Sequence, residues 1–328
     1  MSGIQYCGMT WNPIVGCWQV SPGCANCYAI FAAKRVFEQM SGAAAKRKDG
    51  GTARQLATIK AYGRALKHDE AGNVEAAWSG KLGLNEDKLE DPLRNKKPTV
   101  YFMSMTDLFH ESLSNTEIAA VYGVMANAKH HVFQILTKRS ERMVEWYQWA
   151  ESHLDENGGF FPATFTGKRE WGVSGIELEA VTSVPEWPLP NVWPGVSAEN
   201  QRMADVRVGE LKRIKAAVRW ISVEPMLDSV LFDADGIHWV VIGGESGPNA
   251  RPFDIDKAFK TVRRLRDDRV PVYVKQMGDN PVRTLHGSQR KIVCRAPKGG
   301  KMSEWPAELR IRDFPIGWED RLNGIEVG

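Results

Sequence analysis

The sequence has no long hydrophobic run and little net charge. Its apolar stretches, such as residues 238–243, fall far short of the roughly 18–20 residues that span a bilayer. Its 43 Lys and Arg residues against 40 Asp and Glu residues leave a formal charge of only +3. The first residues also lack a basic segment followed by an apolar one. A membrane protein and a classically secreted protein are therefore not expected, and the composition is that of a soluble globular protein.

Cysteine is also scarce. The 328 residues include only five cysteines, an odd number, and three of them lie between positions 17 and 27. A stabilising disulfide framework is therefore not expected, and a reducing cytoplasm is the expected compartment. Thiols crowded together in a reduced protein are typical of metal or cluster ligands.

Short apolar runs rich in β-branched and aromatic residues recur along the chain and predict buried strands. They occupy residues 99–103, 132–136, 192–196, 219–223, 238–242 and 271–274. A seventh strand is a weaker prediction near residues 5–15, because Pro13 interrupts the pattern. Helical spacing between these runs, as in residues 116–128, 201–217 and 255–268, implies parallel pairing. The expected fold is α/β, a partial (β/α) barrel of six or seven parallel strands, favoured over an open doubly wound sheet.

A single domain covering residues 1–328 is expected, with two insertions. The first, at about residues 35–97, has helical composition, and the second, at about residues 145–190, mixes Trp, Gly and Pro without a clear period. Both are expected to flank the mouth of the barrel. A basic extension begins at about residue 278.

Polar residues follow all six predicted strands. The carboxyl ends of parallel strands share one edge of a sheet, and functional groups gather there. Strands commonly end in polar loops, and this alone explains polar residues after one or two strands. It explains polar residues after all six strands less well than a shared site does. The candidate ligand-binding residues are Ser104, Thr106, Asp107, Lys138, Ser197, Glu199, Glu224, Gly244 and Glu245.

Three cysteines form the strongest chemical motif of the chain. Cys17, Cys24 and Cys27 are spaced C-x6-C-x2-C. Structural zinc is normally held by four protein ligands, whereas a [4Fe–4S] cluster on three cysteines leaves one iron open. Cys7 is a possible fourth ligand, and with it a structural zinc site is the alternative. Cys294 is isolated and is expected to be a packed thiol.

An ordered set of motifs resembles a known family. It includes TWNPIVGC at residues 10–17, SPGCANCYA at 21–29, MSMTDLFHE at 103–111, ILTKRSERM at 135–143 and VIGGESGPNARPF at 241–253. Together they resemble a phage-associated, largely uncharacterised radical-SAM-like family, within the radical S-adenosylmethionine (SAM) superfamily. The common pattern of that superfamily is C-x3-C-x2-C with an aromatic residue before the third cysteine. Here the first gap is six residues and Asn26 precedes Cys27.

The resemblance implies a radical SAM enzyme with a [4Fe–4S] cluster on Cys17, Cys24 and Cys27. The open iron would bind the amino and carboxylate groups of SAM. An electron from a reductase or flavodoxin-type donor would then release a 5′-deoxyadenosyl radical that abstracts hydrogen. No catalytic side chain is predicted.

The resemblance also places candidate residues around SAM. Ser104, Thr106 and Asp107 would stand near its amino group, and Lys138 near its carboxylate or a substrate phosphate. Glu224 would bind a ribose hydroxyl or a substrate amine, unless it forms a structural salt bridge. Independently of the resemblance, glycine permits a close approach of the backbone to a ligand, so Gly244 and Glu245 are expected to touch the ribose or the substrate. Ser197 and Glu199 complete the ring of strand ends.

The expected substrate is a nucleotide or a nucleic-acid base, undergoing modification, isomerisation or repair. Residues 29–67 contain nine Lys and Arg against two acids, and residues 257–301 contain thirteen against three. Basic faces of this kind bind phosphates, although solvated helix faces are an equal alternative. The alternative function is a non-catalytic, cysteine-ligated zinc or iron–sulfur protein that binds nucleic acid, for which Cys7 has to be a ligand.

Overall fold

The structure is a computed structural model that describes residues 5–154, 187–285 and 288–318. Its strands are β1 (Met9–Thr10), β2 (Ile14–Val15), β3 (Leu66–His68), β4 (Val74–Trp78), β5 (Gly83–Leu84), β6 (Val100–Phe102), β7 (Val132–Thr137), β8 (Val192–Ser197), β9 (Trp220–Val223), β10 (Trp239–Gly243), β11 (Phe253–Asp254), β12 (Val272–Gln276), β13 (Pro281–Leu285) and β14 (Ser288–Lys291). Its α-helices are α1 (Tyr28–Ala45), α2 (Ala53–Ala65), α3 (Glu86–Leu89), α4 (Asp91–Arg94), α5 (Asn115–Asn127), α6 (Ser140–Glu151), α7 (Gln201–Arg213) and α8 (Ile255–Asp267).

Seven strands form one curled parallel sheet, a half-barrel. They lie in the order β1-β6-β7-β8-β9-β10-β12, and every neighbouring pair is parallel. Helices α5, α7 and α8 occupy the segments where helical spacing was found. The prediction of a partial barrel is confirmed at this level. A helix between two strands returns the chain to the same end of the sheet, so successive strands pair in parallel.

The two faces of the half-barrel carry different side chains. Outward-facing residues such as Tyr101 and Phe133 pack in the large cluster that includes the apolar side of α5. Inward-facing residues, including Val100 and Phe102, form a second cluster. Successive residues of a strand point to opposite faces, so one continuous apolar run supplies both clusters.

Aromatic rings fill the interior of the half-barrel. Trp193, Trp220 and Trp239 are fully buried there around Tyr6, whose ring centroid lies 5.7 Å from that of Trp239. Gly195 makes room for Trp220, since a Cβ on that glycine would lie 2.5 Å from the indole ring. The core-packing interpretation of these tryptophans is therefore confirmed, because none of the three has a ring face exposed for stacking a base.

Segments from the two ends of the chain meet across the open side of the half-barrel. The backbone N–H of Val274 in β12 donates to the Ile311 carbonyl at 2.9 Å. Arg312 donates to Gln5 Oε1 at 2.7 Å, and the Tyr273 hydroxyl donates to the Gln5 carbonyl at 3.2 Å. The extension from about residue 278 therefore packs against the last strand of the sheet and reaches the segment before β1.

The first predicted insertion corresponds to α1 to α4 and the small strands β3, β4 and β5. Strands β3 and β4 form an antiparallel hairpin, and β5 pairs with β2 beside the cysteines. Of the second insertion, predicted at about residues 145–190, residues 155–186 lie outside the described residues. None of the helices in the described ranges is long and apolar enough to cross a membrane.

Candidate functional site

Two adjoining cavities open at the carboxyl ends of the parallel strands. One, of about 130 Å³, is lined by Cys17, Cys24 and Cys27 and is called the cysteine lobe. The other, of about 200 Å³, is lined by Lys138, Lys275 and Lys298 and is called the lysine lobe. The two lobes share six lining residues, namely Cys27, Tyr28, Phe102, Leu136, Lys138 and Ser197. They are therefore two parts of one site.

The cysteine loop, residues 17–27, runs from just after β2 to the first turn of α1. Cys27 is the residue that precedes α1, and the backbone N–H groups of Ala29 and Ile30 point at its sulfur. Burial raises the pKa of Cys27, and these N–H groups at the helix N-terminus oppose that rise because they stabilise negative charge on the sulfur.

An arginine from the end of β7 holds the start of the cysteine loop. Arg139 Nη1 lies 3.5 Å from Cys17 Sγ, and its Nη2 donates to the Trp18 carbonyl at 3.4 Å. Two carboxylates orient this arginine: Asp107 at 3.1 Å and Glu111 at 2.8 Å. The buried guanidinium is thereby directed at a cysteine sulfur.

Asp107 is fully engaged by the protein. Oδ1 accepts from the Thr137 hydroxyl at 2.6 Å and the Phe109 N–H at 3.1 Å. Oδ2 accepts from the Lys138 N–H at 2.9 Å and from Arg139. With four donors on two oxygens, the side chain joins the ends of β6 and β7 rather than facing a ligand.

A second arginine–carboxylate pair holds the middle of the loop. Glu199, fully buried after β8, accepts from the Gly23 N–H at 3.0 Å and pairs with Arg207 of α7 at 2.9 Å. The fit is close, because a Cβ on Gly23 would lie 2.9 Å from Glu199 Cδ. Burial alone would raise the pKa of Glu199, but a hydrogen bond from Ser21 and the charge of Arg207 outweigh it, so the pKa is lowered.

A third pair holds the end of the loop. Glu245, after β10, accepts from Arg251 Nη2 at 2.6 Å and from the Asn26 side-chain amide at 2.9 Å. Arg251 in turn donates to the Pro22 carbonyl at 2.8 Å. Burial would raise the pKa of Glu245, yet the hydrogen bonds from Arg251 and Asn26 lower it. Three arginine–carboxylate pairs, whose carboxylates follow β6, β8 and β10, thus hold one loop.

The lowered pKa values of Glu199 and Glu245 predict a loss of stability in acid. A carboxylate whose pKa is lowered on folding stabilises the protein fully above its unfolded pKa of about 4.3, and this contribution disappears as pH falls through the lower folded pKa. We expect the free energy of unfolding, measured by urea denaturation, to fall from pH 6 to pH 3. Glu245→Gln should flatten that slope, whereas the same change at the exposed Glu308 should leave it unaltered.

The thiols of Cys17 and Cys27 have raised pKa values. Burial and the charge of Asp107, against the opposing Arg139, raise the pKa of Cys17 to about 11. Burial also raises the pKa of Cys27, against the backbone N–H of Ala29 and the charge of Lys138. Cys24 raises the pKa of both, so its sulfur lies within electrostatic range of Cys17 and of Cys27. Because a bound metal replaces the thiol protons, metal binding should tighten as the pH rises.

No three His, Cys, Asp or Glu side chains in the described part of the chain lie close enough together to bind a single metal ion. Cys7 is fully buried in the inner aromatic cluster and is not among the residues that line the cysteine lobe. Cys294 lies in the C-terminal extension and packs against the outer core. A four-cysteine zinc site that includes Cys7 is therefore absent from the described structure.

The lysine lobe has a charged floor. Glu224 accepts from the Tyr6 hydroxyl at 3.3 Å and pairs with Lys275 at 3.0 Å, so it forms the salt bridge that was the alternative to ligand binding. Lys138 donates to the Ser197 hydroxyl at 3.2 Å where the two lobes meet. The Ser222 hydroxyl lines the same lobe.

The remaining candidates from the sequence lie at the rim. Ser104 lines the cysteine lobe, and its N–H donates to Asn12 Oδ1 at 2.9 Å. The Thr106 hydroxyl, beyond the end of β6, donates at 3.0 Å to the carbonyl of Gly16, the residue before the cysteine loop. Gly244 is required by the protein itself, because a Cβ there would lie 2.2 Å from the Met277 carbonyl oxygen. Eight of the nine candidates line the two lobes, whereas Glu199 lies behind the cysteine loop, which it supports.

Sequence reasoning missed several of these residues. Arg207 is buried on the side of α7 that also carries Ala204 and Val208. Helical spacing predicts an apolar residue at this position. The presence of a cation there is the signal that could have identified Arg207. Asn26 and Tyr6 had no such signal, because their partners lie more than 200 residues away in the chain.

Comparison with known proteins gives a family. Residues 1–306 match the sequence model of a family described as protein of unknown function (DUF5131). The chain belongs to the DUF5131 family. No curated protein and no solved structure matches this DUF5131 chain.

The resemblance to a radical-SAM-like family is therefore wrong as an identification. The family that matches has no assigned function, and no radical SAM family model matches the chain. The cysteine spacing also departs from C-x3-C-x2-C, and the described residues contain no preformed group for a metal ion. Polar residues follow the strands of many unrelated barrels, so their presence at the strand ends of this half-barrel does not identify a family.

Proposed function

We propose that this DUF5131 protein is an enzyme that holds a [4Fe–4S] cluster on Cys17, Cys24 and Cys27 and uses it to cleave SAM. The radical released would then remove hydrogen from a nucleotide or nucleic-acid base. The observation that carries the proposal is that all three thiols line one lobe of a two-lobed site. This grouping of the three thiols supports the function, and membership of the radical SAM superfamily is not assumed.

The number of thiols fits a cluster better than a structural zinc ion. Structural zinc normally has four protein ligands, whereas a [4Fe–4S] cluster can be held by three cysteines, each bound to its own iron. Three thiols with Cys7 buried elsewhere would leave the fourth iron open to a ligand.

Bound there, the cluster would pass on one electron that it receives from a reductase or flavodoxin-type donor. That electron would break a carbon–sulfur bond of SAM to give methionine and a 5′-deoxyadenosyl radical. The protein's own residues have three tasks. Arg139 directs positive charge at Cys17, which stabilises the thiolate. Trp18 and Tyr28 line the lobe and offer aromatic surface to a bound ligand. Lys138, at the junction of the lobes, offers a cation to an anionic group of a ligand.

The decisive experiment is metal analysis of protein purified without oxygen. We expect about four iron and four sulfide per chain, an EPR signal after reduction, and 5′-deoxyadenosine when dithionite and SAM are added. Alanine at Cys17, Cys24 or Cys27 should abolish all three. Cys294→Ala is the matched control, since that thiol lies outside the cysteine lobe, and it should retain the iron.

Three results would contradict this proposal. One zinc per chain after anaerobic reconstitution would favour the non-catalytic, nucleic-acid-binding alternative. Loss of metal in Cys7→Ala, with thermal unfolding unchanged, would show a four-cysteine site. Iron without any deoxyadenosine would retain the cluster and refute SAM as the substrate.

A further inference from the structure

The lysine lobe carries more positive charge than its carboxylates neutralise. Lys138, Lys275 and Lys298 line it, together with Glu224 and Glu245. Glu224 pairs with Lys275, and Glu245 pairs with Arg251. Among the ion pairs of the described residues, Lys138 and Lys298 have no carboxylate partner. Two unneutralised cations therefore border one small cavity.

A buried hydroxyl in the same lobe also lacks a partner. Ser222 is 1% exposed, and its Oγ has no hydrogen-bond partner among the described residues. Buried polar atoms are nearly always hydrogen-bonded, so an orphaned one in a cavity wall points to a ligand or a bound water. Ser222 lies on β9, between Ser197 of β8 and Val241 of β10, and it lines the lobe together with Ser197.

The backbone holds Lys298 in an unusual conformation. Its φ is +59°, in the left-handed region that residues other than glycine rarely adopt. The turn is anchored on both sides: the Lys298 N–H donates to Asp279 at 2.9 Å, and the Gly299 carbonyl accepts from Trp305 Nε1 at 2.7 Å. A strained position at a cavity mouth is typical of a functional side chain.

We propose that the lysine lobe binds the phosphate group of a small phosphate monoester. Lys138 and Lys298 would pair with its oxygens, and Ser222 would donate its hydroxyl. A phosphate monoester carries nearly two negative charges at neutral pH, which matches two cations, whereas each phosphodiester of a nucleic acid carries one. The inference rests on the proposed function, because it names the class of substrate that would lie beside the cluster.

Calorimetric titration of the full-length protein tests this site without needing the cluster. The probes are inorganic phosphate, adenosine 5′-monophosphate and uncharged adenosine. We expect the first two to bind and adenosine not to bind. Binding should tighten between pH 5 and pH 7, as the second phosphate proton, with a pKa of about 6, is lost.

Matched variants identify the residues. Lys298→Asn suits the left-handed backbone and removes the charge, and it should weaken phosphate binding about tenfold or more, as should Lys138→Gln. Lys301→Asn changes an exposed lysine three residues further along that does not line the lobe, and it should have no effect. Ser222→Ala should weaken binding without lowering the midpoint of thermal unfolding.

The outcomes separate this inference from the proposed function. Phosphate binding by a protein that takes up no iron would support the anion site and refute the cluster. Deoxyadenosine formation without phosphate binding would refute the phosphate site in the lysine lobe and would support the proposed cluster. Unchanged binding in Lys138→Gln and Lys298→Asn, or binding of an oligonucleotide but of neither phosphate probe, would also overturn the inference.

Discussion

Glu199→Ala is expected to lower the free energy of unfolding by about 3–5 kcal/mol and to abolish iron uptake. The substitution leaves Arg207 buried without a counter-charge and removes the acceptor for the Gly23 N–H. A lone buried charge is far costlier than the intact pair is favourable. The cysteine loop would lose its central support, so the effect should reach Cys24 although Glu199 touches no sulfur.

Denaturant unfolding and iron content after anaerobic reconstitution measure the two effects. Glu199→Gln keeps an oxygen for Gly23 and should lose less stability than Glu199→Ala. Glu210→Ala on the same helix is the matched control: Glu210 pairs with the half-exposed Arg213 at 2.7 Å, and a surface pair contributes at most about 1 kcal/mol. Full iron binding in a folded Glu199→Ala protein would show that the loop does not depend on this pair.

Gly244→Ala is expected to destabilise the protein by about 1–3 kcal/mol or more, because the added methyl group has no space. Its Cβ would lie 2.2 Å from the Met277 carbonyl oxygen and 2.9 Å from the Gly278 nitrogen. Both are backbone atoms, which cannot rotate away as a side chain can. The ends of β10 and β12 would have to separate, which would shift Glu245 and the loop that it holds.

Gly209→Ala provides the control for the same chemical change. Gly209 lies in α7, and no described atom outside its own helical turn lies within 4 Å of the position that an added methyl group would take. Alanine is favoured over glycine inside a helix by about 0.5–1 kcal/mol, so this variant should be slightly more stable than the parent. If Gly244→Ala unfolded at the same denaturant concentration as the parent, the close approach of the two strand ends would be refuted.

The strands of the half-barrel were predictable, and so was the location of the site. Runs such as 132–136 and 238–242 are apolar on both faces, which is a property of parallel strands covered by helices. Once the strands are parallel, their carboxyl ends must share an edge. The polar residues that follow them, from Ser104 to Glu245, therefore had to come together.

The roles of individual residues were not predictable. Asp107, Glu199 and Glu245 were expected to face a cofactor, and the structure instead engages each of them with an arginine that supports the cysteine loop. The sequence shows an Asp or Glu after a strand, but it does not show whether the carboxylate faces a ligand or an arginine. Only the folded chain shows which neighbour is close enough to bind it.

The half-barrel, its ring of polar strand ends and the crowding of three thiols were determined by the sequence itself. Hydrophobic periodicity and close spacing are local properties of the chain, and physical chemistry turns them into strands, helices and neighbouring sulfurs. The tertiary structure alone decided that three arginine–carboxylate pairs hold the cysteine loop, that Cys7 lies among buried rings, and that Lys138 and Lys298 share a lobe with an unpaired hydroxyl. These contacts join residues up to 229 positions apart, and such pairings depend on the packing of the whole chain rather than on any segment of it.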